Sequence, residues 1–209
     1  MSEPPIQVSP DGVEPAPHKT GSRWVDLVLA GSAILISVVS LLIGLANART
    51  QEKMVAAASW PVLFLDSGNR DDAGADVIAL AVRNNGAGPA LLKSVAITYG
   101  GKRYDNAYRV LLTCCGWKYI STRQDEEVYK VATNRLSRSV IPPGGVRMVM
   151  AVPLTKANAS IWKRLDKERF KFGFDACYCS VLGECWRSDL QGGEPKPVKS
   201  CPSGAGFDR

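Results

Sequence analysis

Cysteines are the residues of this chain best suited to chemistry. All six lie after residue 100, whereas the only histidine, His18, lies near the N-terminus. The six are Cys114, Cys115, Cys177, Cys179, Cys185 and Cys201. A thiol oxidoreductase normally carries a Cys-x-x-Cys pair at a helix N-terminus, and none of these spacings has that form. Six cysteines in one domain of this size instead favour a disulfide framework in an oxidising compartment.

The pairing of these cysteines is only partly predictable. We expect Cys179 to pair with Cys185 across a hairpin, and Cys114 and Cys115 to pair with Cys177 and Cys201 in an order that the sequence leaves open. A bond between adjacent cysteines closes a strained, redox-labile ring, so we expect Cys114 and Cys115 to pair elsewhere. A structural zinc site is the rival interpretation, weakened by the missing Cys-x-x-Cys pair and the missing nearby histidine.

Other catalytic patterns are absent from the sequence. Because His18 lies before the hydrophobic segment, the part that follows cannot hold a Ser-His-Asp or Cys-His arrangement. There is no P-loop and no Gly-x-Gly-x-x-Gly after a strand. The net charge of +6 is carried by dispersed basic residues, which are typical of solvated surface. We therefore predict a protein that is not an enzyme and has no cofactor, no metal and no nucleic-acid partner.

The hydrophobic segment at residues 27–46 determines the topology that we predict for the rest of the chain. It holds no charged residue, and as a helix it spans roughly 30 Å, the thickness of a bilayer core. Arg23 and Trp24 stand at its entrance, where a cation and an indole favour the headgroup region. The sequence predicts a disordered cytoplasmic tail over residues 1–22, a transmembrane helix over 23–47 and a helical stalk over 48–60.

Cleavage of this segment is the main alternative. Ala46-Asn47-Ala48 matches an A-x-A cleavage pattern, so a cleaved signal peptide would leave a soluble periplasmic protein. The segment is longer than the ~7–15 apolar residues of most signal peptides, which favours an anchor. Basic residues flank it on both sides, so the cysteines decide the orientation. They predict a bacterial inner-membrane protein with a cytoplasmic N-terminus and a periplasmic C-terminal domain.

Small residues form a stripe on the predicted membrane helix. They recur at alternating steps of four and three, at Ala33, Ser37, Ser40, Gly44 and Asn47. Such a stripe lets two helices approach closely, which predicts a homodimer through the membrane. The competing interpretation, that Ser, Gly and Ala are simply common in membrane helices, explains the pattern equally well.

The pattern after Pro61 is that of strands and turns. Short β-rich runs are separated by turn signals such as residues 84–89 and 142–145, with a partly helical insertion at residues 106–134. Strands at this spacing, without alternating long helices, predict an antiparallel immunoglobulin-like β-sandwich over residues 61–190. Residues 191–209 are expected to be a loose C-terminal tail.

The order of these features resembles a group of bacterial single-pass inner-membrane proteins with a small periplasmic β domain. The matching pieces are Ala58-Ser59-Trp60-Pro61, residues 84–90, and Cys177-Tyr178-Cys179-Ser180 followed by Cys185-Trp186. The resemblance implies an architecture and a compartment, and no activity. We expect a protein-interaction role, as a scaffold, accessory subunit or envelope sensor, with contact surfaces at residues 118–130 and 84–89. A ligand-binding module and a thiol-redox factor are the alternatives.

Overall fold

The computed structural model describes residues 22–118, 130–202 and 207, and divides the chain into two compact units, Met1–Gln51 and Glu52–Arg209. Helix α1, Arg23–Ala58, is long and apolar enough to cross a membrane by length and composition, a test that a signal sequence also passes. It ends just before Ser59-Trp60-Pro61, because proline disfavours the helical conformation of the residue before it.

The second unit contains two antiparallel sheets, as the sequence predicts at this coarser level. One sheet has the strand order β1-β2-β7-β5, formed by Leu63–Arg70, Asp76–Asn84, Val146–Pro153 and Ala132–Thr133. The other has the order β10-β9-β8-β3-β4, formed by Lys196–Val198, Cys185–Ser188, Gly173–Cys179, Ala90–Tyr99 and Lys102–Tyr104. A short strand β6, Ser139–Ile141, also pairs with β3. We call these the first and the second sheet.

Two helices accompany the sheets. Helix α2, Ala107–Cys115, begins at Asn106, whose side-chain oxygen accepts the backbone N–H of Tyr108 at 2.8 Å. It ends at Gly116, whose φ of 71° lies in the left-handed region that glycine tolerates best. Helix α3, Ala159–Glu168, runs into a 3₁₀ turn at Arg169–Lys171. Helix α2 supplies the helical part of the predicted insertion, and residues 119–129 lie outside the described residues.

One hydrophobic core is shared by both sheets and by α2. Ile78 and Val82 from β2, Leu92 and Ile97 from β3, and Val110 from α2 are all fully buried in it. Alternation along β2 sends Ile78 and Val82 inward, and a bulge in β3 between Leu92 and Ser94 lets both Leu92 and Ile97 face the core. Burying such a side chain is worth about 1.5–3 kcal/mol.

The C-terminal segment is more ordered than expected. Within residues 191–209, strand β10 pairs with β9, with Val198 opposite Cys185. The ring of Phe207 is buried in the core, and the carbonyl oxygen of Phe207 accepts the N–H of Leu136 at 3.2 Å. The Gly- and Pro-rich composition suggested a loose segment, whereas pairing with β9 and one buried aromatic ring hold it to the domain.

Candidate functional site

The outward face of the second sheet carries a row of aligned side chains. Cys179 of β8 lies opposite Cys185 of β9 on one side and Leu91 of β3 on the other, and Leu91 lies opposite Val140 of β6. Residues directly opposite each other in an antiparallel pair point to the same face. The neighbouring Tyr178 is fully buried in the core, so the row of Cys179 points away from the core.

Two disulfides lie on this outward face. Cys179 is bonded to Cys185, as expected from the hairpin, and Cys177 is bonded to Cys201. The second bond holds the C-terminal segment against β8. The Sγ atoms of Cys179 and Cys201, which belong to different disulfides, are 3.9 Å apart.

The expected bonds from Cys114 and Cys115 to Cys177 and Cys201 are wrong. Cys114 and Cys115 are bonded to each other in the last turn of α2. Both are buried among core residues, whereas Cys177 lies on the outward face of the second sheet. The sheet separates the two groups, so only adjacent partners are within reach of Cys114 and Cys115.

A groove of about 720 Å³ runs over the outward face of the second sheet. Leu91, Val140 and the Cys179–Cys185 disulfide line it, together with residues 199–202 of the C-terminal segment. Lys93, Arg138 and Lys199 also line it, and no carboxylate is among its described lining residues. We call this the cationic groove; it combines an apolar surface with three positive charges.

The three cations of the cationic groove have no carboxylate partner among the described residues. Within the described part of the chain, neither Lys93, Arg138 nor Lys199 forms an ion pair. Arg138 has a φ of 61°, which is uncommon for a residue other than glycine, and Ser139 stabilises the same turn by donating to the carbonyl oxygen of Leu136 at 2.7 Å. Clustered positive charge attracts anionic groups.

One carboxylate on the same sheet face is already paired with arginines. Asp175 accepts hydrogen bonds from Nε and Nη2 of Arg187 at 2.5 and 2.7 Å, and a further one from Arg103. The hydrogen bonds from Arg187 hold the pKa of Asp175 below its usual value, although partial burial acts in the opposite direction. Two guanidinium groups therefore satisfy this carboxylate.

The turn at residues 84–89, expected to be a contact surface, packs against the chain's own residues 59–62. Asn84 is fully buried, and its side-chain oxygen accepts the N–H of Val62 at 3.2 Å and the N–H of Gly86 at 2.9 Å. A Cβ added at Gly88 would overlap the backbone of Ser59. The inner side of this turn therefore fixes the entry of the chain into the domain.

Two predicted contact sites, the small-residue stripe on α1 and residues 118–130, remain predictions. On α1, Ser37 donates its hydroxyl to the carbonyl oxygen of Ala33 at 2.8 Å, and a Cβ added at Gly44 would meet nothing within 4 Å. The stripe of Ala33, Ser37, Ser40 and Gly44 thus has room for a close neighbour, and the homodimer remains untested. The other expected contact surface, residues 118–130, lies almost wholly outside the described residues.

Comparisons with protein-family models, with curated proteins and with solved structures find no match. The sulfur atoms of Cys179, Cys185 and Cys201 lie within 4.8 Å of one another, close enough for the three residues to be ligands of one metal ion. The cationic groove is suited to binding a molecule that carries an anionic group next to an apolar one.

Sequence reasoning missed Lys93, Arg138 and Lys199 as a group. They come from three segments that are distant in sequence, and the pairing of β3 with β6 and of β9 with β10 brings those segments to one face. Only the strand register carries this signal, and the register is not visible in composition or spacing.

Proposed function

We propose that this chain is a single-pass bacterial inner-membrane protein whose periplasmic β domain binds a partner protein through the cationic groove. The observation that carries the proposal is the convergence of Lys93, Arg138 and Lys199 around an apolar surface, with no carboxylate partner among the residues that the structure describes. The apolar helix α1 supports the membrane anchor. Cysteines at bonding distance support an oxidising compartment, where disulfides persist.

The domain is proposed to be an immunoglobulin-like sandwich. In immunoglobulin constant-type domains one sheet has the strand order A-B-E-D and the other contains C, F and G. The order β1-β2-β7-β5 corresponds to A-B-E-D when strands are assigned in sequence, and β9-β8-β3 corresponds to G-F-C. This correspondence supports a fold that commonly presents its surfaces to other proteins.

The proposed partner carries an acidic segment that also has apolar side chains. Its carboxylates would pair with Lys93, Arg138 and Lys199, and its apolar groups would rest on Leu91 and Val140, the latter about half exposed. Such electrostatic complementarity sets specificity and speeds association. The chain would act in this way as a scaffold, an accessory subunit or an envelope sensor.

Charge reversal tests the proposal. The variant K93E/R138E/K199E changes the cationic groove, and K156E/K163E/K167E is the matched control, because its three lysines are exposed and outside the groove. After crosslinking in intact cells and purification of the full chain, we expect acidic partner proteins with the wild type and the control, and their loss with the groove variant. Equal recovery from all three chains would contradict the proposal.

The volume of the cationic groove favours a second candidate function. At about 720 Å³ it falls in the range of small-molecule sites, so binding of an anionic ligand is the alternative. Native mass spectrometry of the chain purified from cells distinguishes the two. A small molecule that is retained by the wild type and the control and lost from K93E/R138E/K199E would favour the ligand-binding module.

A further inference from the structure

Three sulfur atoms on the outward face of the second sheet form one cluster, and a fourth, that of Cys177, is bonded to one of them. Cys177 and Cys179 are two residues apart on β8 and share its outward face, where they meet Cys201 and Cys185. The Sγ atoms of Cys179, Cys185 and Cys201 lie within 4.8 Å of one another, and Cys177 is bonded to Cys201. Thiolate ligands contributed by neighbouring strands are the donor set of structural zinc sites.

We propose that these four cysteines bind one Zn²⁺ ion when their two disulfides are reduced. Four thiolates at about 2.3 Å from a tetrahedral zinc ion lie roughly 3.8 Å from one another. The distance between the Sγ atoms of Cys179 and Cys201 is already 3.9 Å. The two bonded pairs would separate to a similar distance and the sulfur of Cys177 would move towards those of Cys179 and Cys185; rotation about the Cα–Cβ bonds supplies such movements.

The surroundings favour the charge of such a site. A zinc ion with four thiolates carries a net charge of −2, and Lys93, Arg138 and Lys199 line the groove that contains Cys179, Cys185 and Cys201. Asp175, a carboxylate on this face, is held by Arg103 and Arg187. The positive charges that attract an anionic partner in the oxidised chain would therefore offset the thiolates in the reduced chain.

The interconversion balances with a dithiol as the reductant. Each disulfide accepts two electrons and two protons and becomes two thiols, while each dithiol closes to a cyclic disulfide. Zinc binding then releases the four thiol protons, and zinc itself undergoes no redox change. The inference goes beyond the proposed function, because it depends on the thiols of the reduced chain and not on any partner.

Cobalt provides the probe. The full chain is reduced in detergent under anaerobic conditions, freed of reductant and titrated with Co²⁺. We expect one Co²⁺ per chain, with thiolate-to-cobalt charge-transfer bands and the visible bands of a tetrahedral ion, and displacement of both by Zn²⁺. The control C114S/C115S keeps these bands, whereas C179S/C201S weakens Co²⁺ affinity by about 100-fold or more. The oxidised chain shows no bands.

Alkylation of the wild type gives a test that does not depend on the folding of a variant. Zinc should slow the alkylation of Cys177, Cys179, Cys185 and Cys201 in the reduced chain, and leave the rates at Cys114 and Cys115 unchanged. Absence of the cobalt bands, their persistence in C179S/C201S, or equal zinc protection of all six cysteines would overturn the proposal. None of these results bears on partner binding by the oxidised chain.

Discussion

The side-chain amide of Asn84 donates a hydrogen bond to the carbonyl oxygen of Ile141 at 3.0 Å, and so joins the end of β2 in the first sheet to β6 in the second. The same nitrogen donates to the carbonyl oxygen of Gly88 at 2.8 Å, and the side-chain oxygen accepts from Val62 and Gly86. One buried side chain therefore connects both sheets, the turn after β2 and the segment that follows α1.

Replacing Asn84 with alanine should destabilise the domain strongly. The change leaves four backbone groups without their partner, and buried groups left unsatisfied cost about 1–3 kcal/mol each, so we expect a loss of about 3 kcal/mol or more. Denaturant unfolding followed by tryptophan fluorescence in detergent measures it. The control N134A, at an exposed asparagine, should stay within about 0.5 kcal/mol of the wild type. Similar losses in both variants would contradict this role.

Replacing Gly88 with alanine tests the close packing of the turn on residues 59–62. The added Cβ would overlap backbone atoms of Ser59, so either the turn or the chain entry must shift. Overpacking of this kind costs about 1–3 kcal/mol. The control is G68A, where the added Cβ meets the carbonyl oxygen of Arg70 at an ordinary 3.5 Å. We expect G88A to have the lower unfolding midpoint, and equal midpoints would show that the contact is not tight.

The ion pairs of Asp175 predict a pH dependence. Its pKa in the folded chain is lowered from the ordinary 3.8, mainly by the hydrogen bonds from Arg187. Its contribution to stability is therefore fully present above pH about 4, and is lost as the pH falls through the lowered pKa. At pH 7, D175N should be about 1–2 kcal/mol less stable than the wild type.

Unfolding measured from pH 7 to pH 2 checks this prediction. The difference between D175N and the wild type should shrink below pH about 4, because the wild type then loses the same interaction. The variant D72N, at an exposed aspartate, is the control and should follow the wild type throughout. A difference that does not change with pH would contradict the assignment.

The stripe on α1 predicts self-association in the membrane. Replacing Ser40 and Gly44 with leucine adds bulk where the small residues allow close approach, and should weaken the signal in a membrane two-hybrid assay. Replacing Leu41 and Leu45 with isoleucine preserves bulk and hydrophobicity and should leave the signal close to that of the wild type. An unchanged signal for S40L/G44L would argue against this dimer face.

Local patterns predicted much of the fold. The β-rich runs around Phe64, Leu80 and Val95 are strands, as their β-rich composition between turn signals predicted. The pair Cys179–Cys185 was predictable, because a short turn places the two residues opposite each other. These features depend on residues close together in the sequence.

Features that depend on the three-dimensional arrangement were not predicted. Composition suggested a loose C-terminal segment, whereas Val198 pairs opposite Cys185 at the sheet edge. The bond between Cys114 and Cys115 became clear only once the core placed both of them away from Cys177. The turn at residues 84–89 was recognised, but the four hydrogen bonds of Asn84 were not, because its partners lie up to 57 residues away.

Docking of a partner protein in the cationic groove is tested most directly by site-specific photocrosslinking in intact cells. A photoreactive amino acid is placed at Val140, which lines the groove, or at Val146 of β7, which lies outside it; the two valines are 50% and 44% exposed. We predict an adduct with a partner protein from position 140 and none from position 146, and its loss when K93E/R138E/K199E is added. No adduct from position 140, or an adduct that survives the charge reversal, would contradict the account.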